Sequence, residues 1–257
     1  MQEELRLNNI TTLVGKIISD CKFSHQIYGE DFYTFEIEVS RLSDTFDKLP
    51  VTVSERLLDK NLFKVGAVIQ VQGQIRSYNN LVDQRNHLVL TIFAKELNYM
   101  DFDSNQNPNL VTLNGFICKK PIYRKTPFGR EICDILLAVN RSYNKSDYIP
   151  CIIWGRNAKF ADTLEVSSNI KITGRMQSRV YSKKINVEDE NATELVETII
   201  EKTAYEISVS KLELVKKDNG SNLELSILPN SGGYSSNLDD DDAEVLISQD
   251  DNSNIIL

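Results

Sequence analysis

Short runs of alternating apolar and polar residues recur along most of the chain. FEIEVSR at residues 35–41 and KITGRMQ at 171–177 carry the period of two that puts successive side chains on opposite faces of a strand. Glycine-bearing turns, IYGED at 27–31 and TPFGRE at 126–131, predict hairpins that join the first two strands of each half. One helical stretch falls between the third and fourth strands of each half, SERLLDKNLF at 54–63 and RNAKFADTL at 156–164. An acidic run before the last strand, EDENATELVETIIEK at 188–202, leaves helix and loop both open.

The two halves are copies of one unit. NITTLVGKII at 9–18 lies over NLVTLNGFIC at 109–118, and at the same offset Gly29 meets Gly129, Val39 meets Val139 and Arg41 meets Arg141. LPVTVS at 49–54 then meets IPCIIW at 149–154, with Pro50 over Pro150. After one residue of slip, VIQVQGQI at 68–75 meets NIKITGRM at 169–176, and LVLTIFAKEL at 88–97 meets TAYEISVSKL at 203–212. A two-copy duplication is a tandem domain, not a solenoid. Five strands with one short helix between the third and fourth predict an all-β chain of two oligonucleotide/oligosaccharide-binding (OB-fold) Greek-key barrels. The domains expected are 1–104 and 109–217, joined by NQNP at 105–108 and followed by an acidic, disordered tail at 218–257.

The repeat also supplies a register. In the first unit Leu49, Val51 and Val53 should face the core, with Lys48, Pro50, Thr52 and Ser54 outward. The matched inward set is Ile149, Cys151 and Ile153, and the outward set becomes Tyr148, Pro150, Ile152 and Trp154, the chain's single tryptophan. On the next strand, the outward residues Gln70, Gln72 and Gln74 become Lys171, Thr173 and Arg175. An exposed apolar and aromatic row beside new cations predicts a face that stacks unpaired bases.

Charge separates the halves further. The net charge is −8, yet nine acidic residues and no Lys or Arg lie from Asp218 onward. Before residue 109 the chain has 11 basic and 15 acidic residues, and from 109 to 217 it has 18 and 13. A cationic second unit implies a polyanion partner, and the anionic tail a detached arm. The four cysteines form no CxxC pair and His25 is far from His87, so neither zinc nor disulfides are expected. No run is long enough for a membrane helix, and MQEELRLNNI lacks the regions of a signal peptide; a cytoplasmic, nucleoid-associated protein is expected. Phosphate-cradling GxxxxGK[ST], GxGxxG after a strand and HExxH are all absent, so no catalysis and no cofactor are expected.

The segment from residue 109 to 184 resembles the bacterial single-stranded DNA-binding proteins throughout, through its opening strand, the TPFGR hairpin, LAVNR, the WGRNA turn and ITGRMQSR. The first unit looks like a diverged copy. The resemblance implies sequence-independent binding of single strands, with Tyr143, Tyr148, Trp154 and Tyr181 at or near base-stacking positions. Arg141, Arg156, Lys171, Arg175 and Arg179 would line the phosphate path, and Arg124 and Lys125 complete the expected nucleic-acid-binding set. It also implies a homodimer of four barrels and roles in replication, recombination and repair. The tail would dock partners through Asp239, Asp240, Asp241, Asp242, Asp250, Asp251, Ile255, Ile256 and Leu257, although it ends without the family's usual Pro-Phe tip. Two other readings stand beside this one: a replisome accessory module built for protein contacts, and an RNA-binding barrel protein.

Overall fold

Leu13, Ile17, Ile37, Leu49, Ile69, Val71 and Ile75 are fully buried, and so are their counterparts Leu113, Ile117, Leu137, Ile149, Ile170, Ile172 and Met176. The repeat in sequence is thus a repeat in packing, since these residues alternate with outward ones along their strands. The computed structural model describes residues 7–41, 43, 45–82, 85–100, 109–187 and 196–215. Within them the first unit has β1 (Asn9–Ile17), β2 (Lys22–Ile27), β3 (Glu30–Ser40), β4 (Phe46–Ser54), β5 (Val68–Val82) and β6 (Arg85–Met100). The second repeats the order as β7 (Asn109–Ile117), β8 (Ile122–Lys125), β9 (Glu131–Arg141), β10 (Lys145–Trp154), β11 (Asn169–Val187) and β12 (Val196–Leu214).

Each unit closes into an OB-fold barrel. In the first, β1 pairs with both β3 and β5, β5 with β6, β3 with β4, and β4 runs parallel to β6. The second does the same with β7, β9, β10, β11 and β12. Three expectations need correction. Each unit has a sixth strand, because the long first strand ends at Ile17 or Ile117 and the glycine turn folds a separate strand, β2 or β8, against β3 or β9. The helix forms only in the second unit, as α1 (Arg156–Asp162); the first has a 3-10 turn at Glu55–Leu57. The acidic run before the last strand is neither helix nor loop from Val196 onward, where it pairs with β11.

Both long hairpins carry a bulge at the same place, between Gln72 and Gly73 and between Thr173 and Gly174. Glycine is required there: a Cβ on Gly73 would stand 2.2 Å from the Phe93 carbonyl oxygen, and one on Gly174 2.2 Å from that of Ser208. Backbone cannot yield as a flexible side chain would, so Gly174→Ala is expected to cost about 2 kcal/mol of stability. An unchanged melting temperature would refute this. Past each bulge an asparagine replaces the missing neighbour strand. Asn9 donates to the Ile75 carbonyl (2.8 Å) and accepts from its N–H (2.9 Å), and Asn109 does the same for Met176 (2.7 and 2.9 Å).

The two barrels share one sheet. β1 and β7 run antiparallel with Thr11 opposite Val111, and their outer neighbours are β5 and β11. Each long hairpin reaches the other barrel. Asp47 of β4 accepts from both Nε (2.9 Å) and Nη2 (2.6 Å) of Arg41, from Arg175 (2.9 Å) and from the Ser178 N–H (2.8 Å). Asp147 of β10 mirrors it, accepting from Arg76 (2.9 Å), the Ser77 N–H (2.9 Å) and Arg141 (3.5 Å). The serine hydroxyls answer in turn, Ser178 accepting from the Lys48 N–H and Ser77 from the Tyr148 N–H. Linker residues 105–108 and the tail, with all its docking candidates, lie outside the described residues.

Candidate nucleic-acid interface

β10 keeps an unbroken register with β9 from Lys145 to Trp154, so the alternation read from the repeat holds through Pro150. Ile149, Cys151 and Ile153 face the core, as expected. The outward row is Ser146, Tyr148, Pro150, Ile152 and Trp154, and over these nine residues it spans about 26 Å. One member departs from expectation: Ile152 is only 4% exposed. Its lateral neighbours are Asp134 on β9 and Ser208 on β12, and the Trp154 indole leans back to donate its N–H to the Ser208 hydroxyl at 3.1 Å. The ring therefore lies over the outer surface of the barrel, half-buried, with its orientation fixed by one hydrogen bond. In the first unit Thr52 and Ser54 are also buried, through hydrogen bonds to Thr91 and Glu30.

Cations gather at the Trp154 end. The hairpin of β8 and β9 stands beside it, with Ile132 opposite both Trp154 and Arg124. Gly155 donates to the Glu131 carbonyl at 2.8 Å, and Glu131 holds Lys159 of α1 at 3.0 Å. The hydrogen bond from Lys159, then that from Tyr123, lowers the Glu131 carboxyl below its usual range. Arg124 pairs with Asp134 at 2.9 Å, Lys125 reaches Glu131 at 4.0 Å, and Arg156, at the start of α1, is exposed. Sequence reasoning passed over Phe128, 76% exposed at the hairpin tip, and the exposed Arg130. An aromatic inside a turn flanked by Arg124, Lys125 and Arg130 was the available signal.

Toward the other end of β10 lie Tyr148 and, in the loop before the strand, Tyr143. Tyr148 is half-buried, and burial, then Cys118, pushes its phenol above the ordinary range. Tyr143 is 94% exposed and, with Asn144, forms the tip of the β9–β10 hairpin at positive φ (64° and 53°). Those left-handed residues close the three-residue loop from Ser142 to Asn144 and leave the ring in solvent.

Four expected phosphate contacts are placed elsewhere. β10 and β11 are not neighbours, since β12 runs between them, so Lys171 lies opposite Asn114 of β7 and Glu213 of β12, away from Trp154. Arg141 and Arg175 are engaged with Asp147 and Asp47 in the seam between barrels. The change from Gln74 to Arg175 is half of an exchange, because Arg76 in the first unit matches Gln177 in the second; each arginine bonds to its neighbouring glutamine and crosses to the other unit's aspartate. Gln74, expected outward, is correspondingly buried. Arg179 and Tyr181 sit on the β11–β12 arm beyond Ser178, the residue held by Asp47. All four thiols are unpaired by disulfides and burial raises each, Cys133 to about 12 and Cys21 and Cys118 to about 11. Among the described residues no His, Cys, Asp and Glu cluster could hold a metal.

The family comparison falls on this unit. The model of the Single-strand binding protein family matches residues 108–213, the span of β7 to β12. The chain is 35% identical over 83 residues to Single-stranded DNA-binding protein A of Bacillus subtilis, covering 30% of this chain and 48% of that one. It is 36% identical over 80 residues to the Single-stranded DNA-binding protein of Bacillus cereus, covering 28% and 47%. The chain thus spans about half the length of the curated relatives it matches. The crystal structure of the single-stranded DNA binding protein from Thermus aquaticus superposes with a TM-score of 0.64, covering 83% of this chain and 95% of that one. At 16% identity that likeness concerns the fold alone, and it extends over both barrels.

Proposed function

We propose that the chain, whose second unit matches the Single-strand binding protein family, binds and protects single-stranded DNA without reading base sequence. The observation that carries this is the outward row of β10, Trp154 and Tyr148 on an open sheet face, ending in the cationic cluster of Arg124, Lys125, Arg130 and Arg156. Bases would stack on Phe128 and Trp154, pass Pro150 to Tyr148 and leave over Tyr143, while the cations neutralise phosphates. Every base has a π-face, so such a surface tolerates any sequence. No catalytic step is involved.

The proposed assembly is a homodimer. A second copy covers the outer face of the shared sheet, where Ile10 and Leu110 stand exposed on the central strands β1 and β7, and brings the number of barrels to four. The acidic run at Asp239 to Asp242 and the apolar end Ile255, Ile256 and Leu257 serve as the arm for replication and repair partners in the cytoplasm.

Titration with oligo-dT, followed through the fluorescence of the lone tryptophan, tests the reading. Strong quenching is expected, with affinity that weakens as salt is raised. Absence of binding by anisotropy as well as by fluorescence would overturn it.

A further inference from the structure

The outer face of the first unit lies over the aromatic row of the second, but carries carboxylates where the second has cations or neutral residues, while Arg56 still matches Arg156. Lys120 corresponds to Asp20, Arg130 to Glu30, Leu136 to Glu36, Ala138 to Glu38 and Gly155 to Glu55, and His25, opposite Phe32, takes the place of Arg124, opposite Ile132. Trp154 is replaced by Ser54, whose hydroxyl donates to Glu30; Arg56 pairs with the same carboxylate. One ring is presented in another form. Exposed His25 stacks on Phe32, which is itself buried, with ring centroids 5.0 Å apart and an interplanar angle of 7°, and Phe32 meets Phe93 at 5.6 Å beneath it. β2, which carries His25 and Ile27, ends the sheet on this side and is exposed along its whole length.

The register defines the face. Phe35, Ile37 and Val39 point into the core, so Phe32, Thr34, Glu36 and Glu38 of β3 point out, opposite Ser54, Thr52, Pro50 and Lys48 of β4. Glu36 is exposed beside the other unit's arm, near enough to Tyr205 to add to the effect of burial on that phenol. Phosphate would be repelled from such a row. Rings beside carboxylates instead suit a planar cation, which lies on the aromatic face while its N–H groups reach the acid.

We propose that this face docks an extended, arginine-bearing segment of a partner protein. Phe32 to Glu38 covers roughly 20 Å, room for about six extended residues. The two units would then divide the work, the second holding the polyanion and the first a polycationic protein segment, so that both are held at once.

The test uses the full chain and a fluorescein-labelled hexapeptide of alternating arginine and isoleucine, read by anisotropy. The variants are Glu36→Gln with Glu38→Gln, His25→Ala, and a tail variant with Asp239, Asp240, Asp241 and Asp242 changed to Asn. The changes on the face are outward, and thermal melts verify that all variants fold. The expected result is peptide affinity reduced about fivefold or more by each change on the face and within about twofold of the parent for the tail variant. Oligo-dT quenching of Trp154 should be the same in all. The proposal is overturned if the parent chain does not take the peptide, if affinity follows the tail and not the face, or if His25→Ala weakens oligo-dT binding, which would make this face a DNA contact.

Discussion

Alanine at Asp47 or at Asp147 is expected to lower the unfolding free energy by about 3 kcal/mol each, among the largest effects of any single change outside the core. Both carboxylates are essentially inaccessible, at 1% and 0% exposure, and each binds two arginines and a backbone N–H. Burial of a charge is tolerable only with such partners, and removing the acid leaves two cations and an amide without it. The arginines are about a quarter to a third exposed, which lets water relieve part of the loss and keeps the figure at the lower end of the range for buried pairs. Because each cage includes residues of both units, the change should also loosen one barrel from the other. Urea unfolding of the single variants, read by far-ultraviolet circular dichroism, checks the prediction. A shift below about 1 kcal/mol would mean that the seam is held by the β1–β7 ladder alone.

That seam marks the limit of what the sequence made legible. The core was legible because it obeys period two: Leu49, Val51 and Val53 and their counterparts sit where the alternation puts them. The aromatic row on β10 was legible for the same reason, with the unbroken register through Pro150 carrying Tyr148 and Trp154 to the outer face. Alternation reports only which side of a strand a residue is on. It is silent on what lies against that side, so Gln74, Thr52 and Ile152 were expected in solvent and are buried by neighbours from elsewhere in the chain. It is silent also on lateral order. A Greek key places β12 between β10 and β11, and Lys171 and Trp154, on strands adjacent in sequence, end on different sides of the barrel. The arginines show a third limit. Arg175 looked like a gain of charge when compared with Gln74, and only the fold reveals that Arg76 holds the equivalent bond from the other unit. Phe128 was missed because turn signals are read for glycine and proline, which shape the backbone, and not for the side chain that the turn displays.

Trp154→Ala is expected to weaken oligo-dT binding by about 5- to 150-fold, the cost of about 1–3 kcal/mol for one lost stacking platform. The range is set by the half-buried position of the ring. Its N–H is already committed to Ser208, so the indole is preorganised and little ordering remains when a base arrives. The cations should divide into two classes in the same assay. Arg130 and Arg156 are exposed beside the tryptophan, and replacing either by alanine should lower the slope of log affinity against log salt by about 0.7, the value for one phosphate contact on a single strand. Replacing Arg175, whose guanidinium is tied to Asp47 and Gln177, should leave that slope unchanged and lower thermal stability instead. Salt titrations of the three arginine variants therefore separate the surface that meets phosphate from the seam that joins the barrels. Equal slopes for all three would mean that the Trp154 end of β10 is not on the phosphate path. A reduced slope for Arg175 alone would move that path to the junction of the two units, where the arm bearing Arg179 and Tyr181 begins.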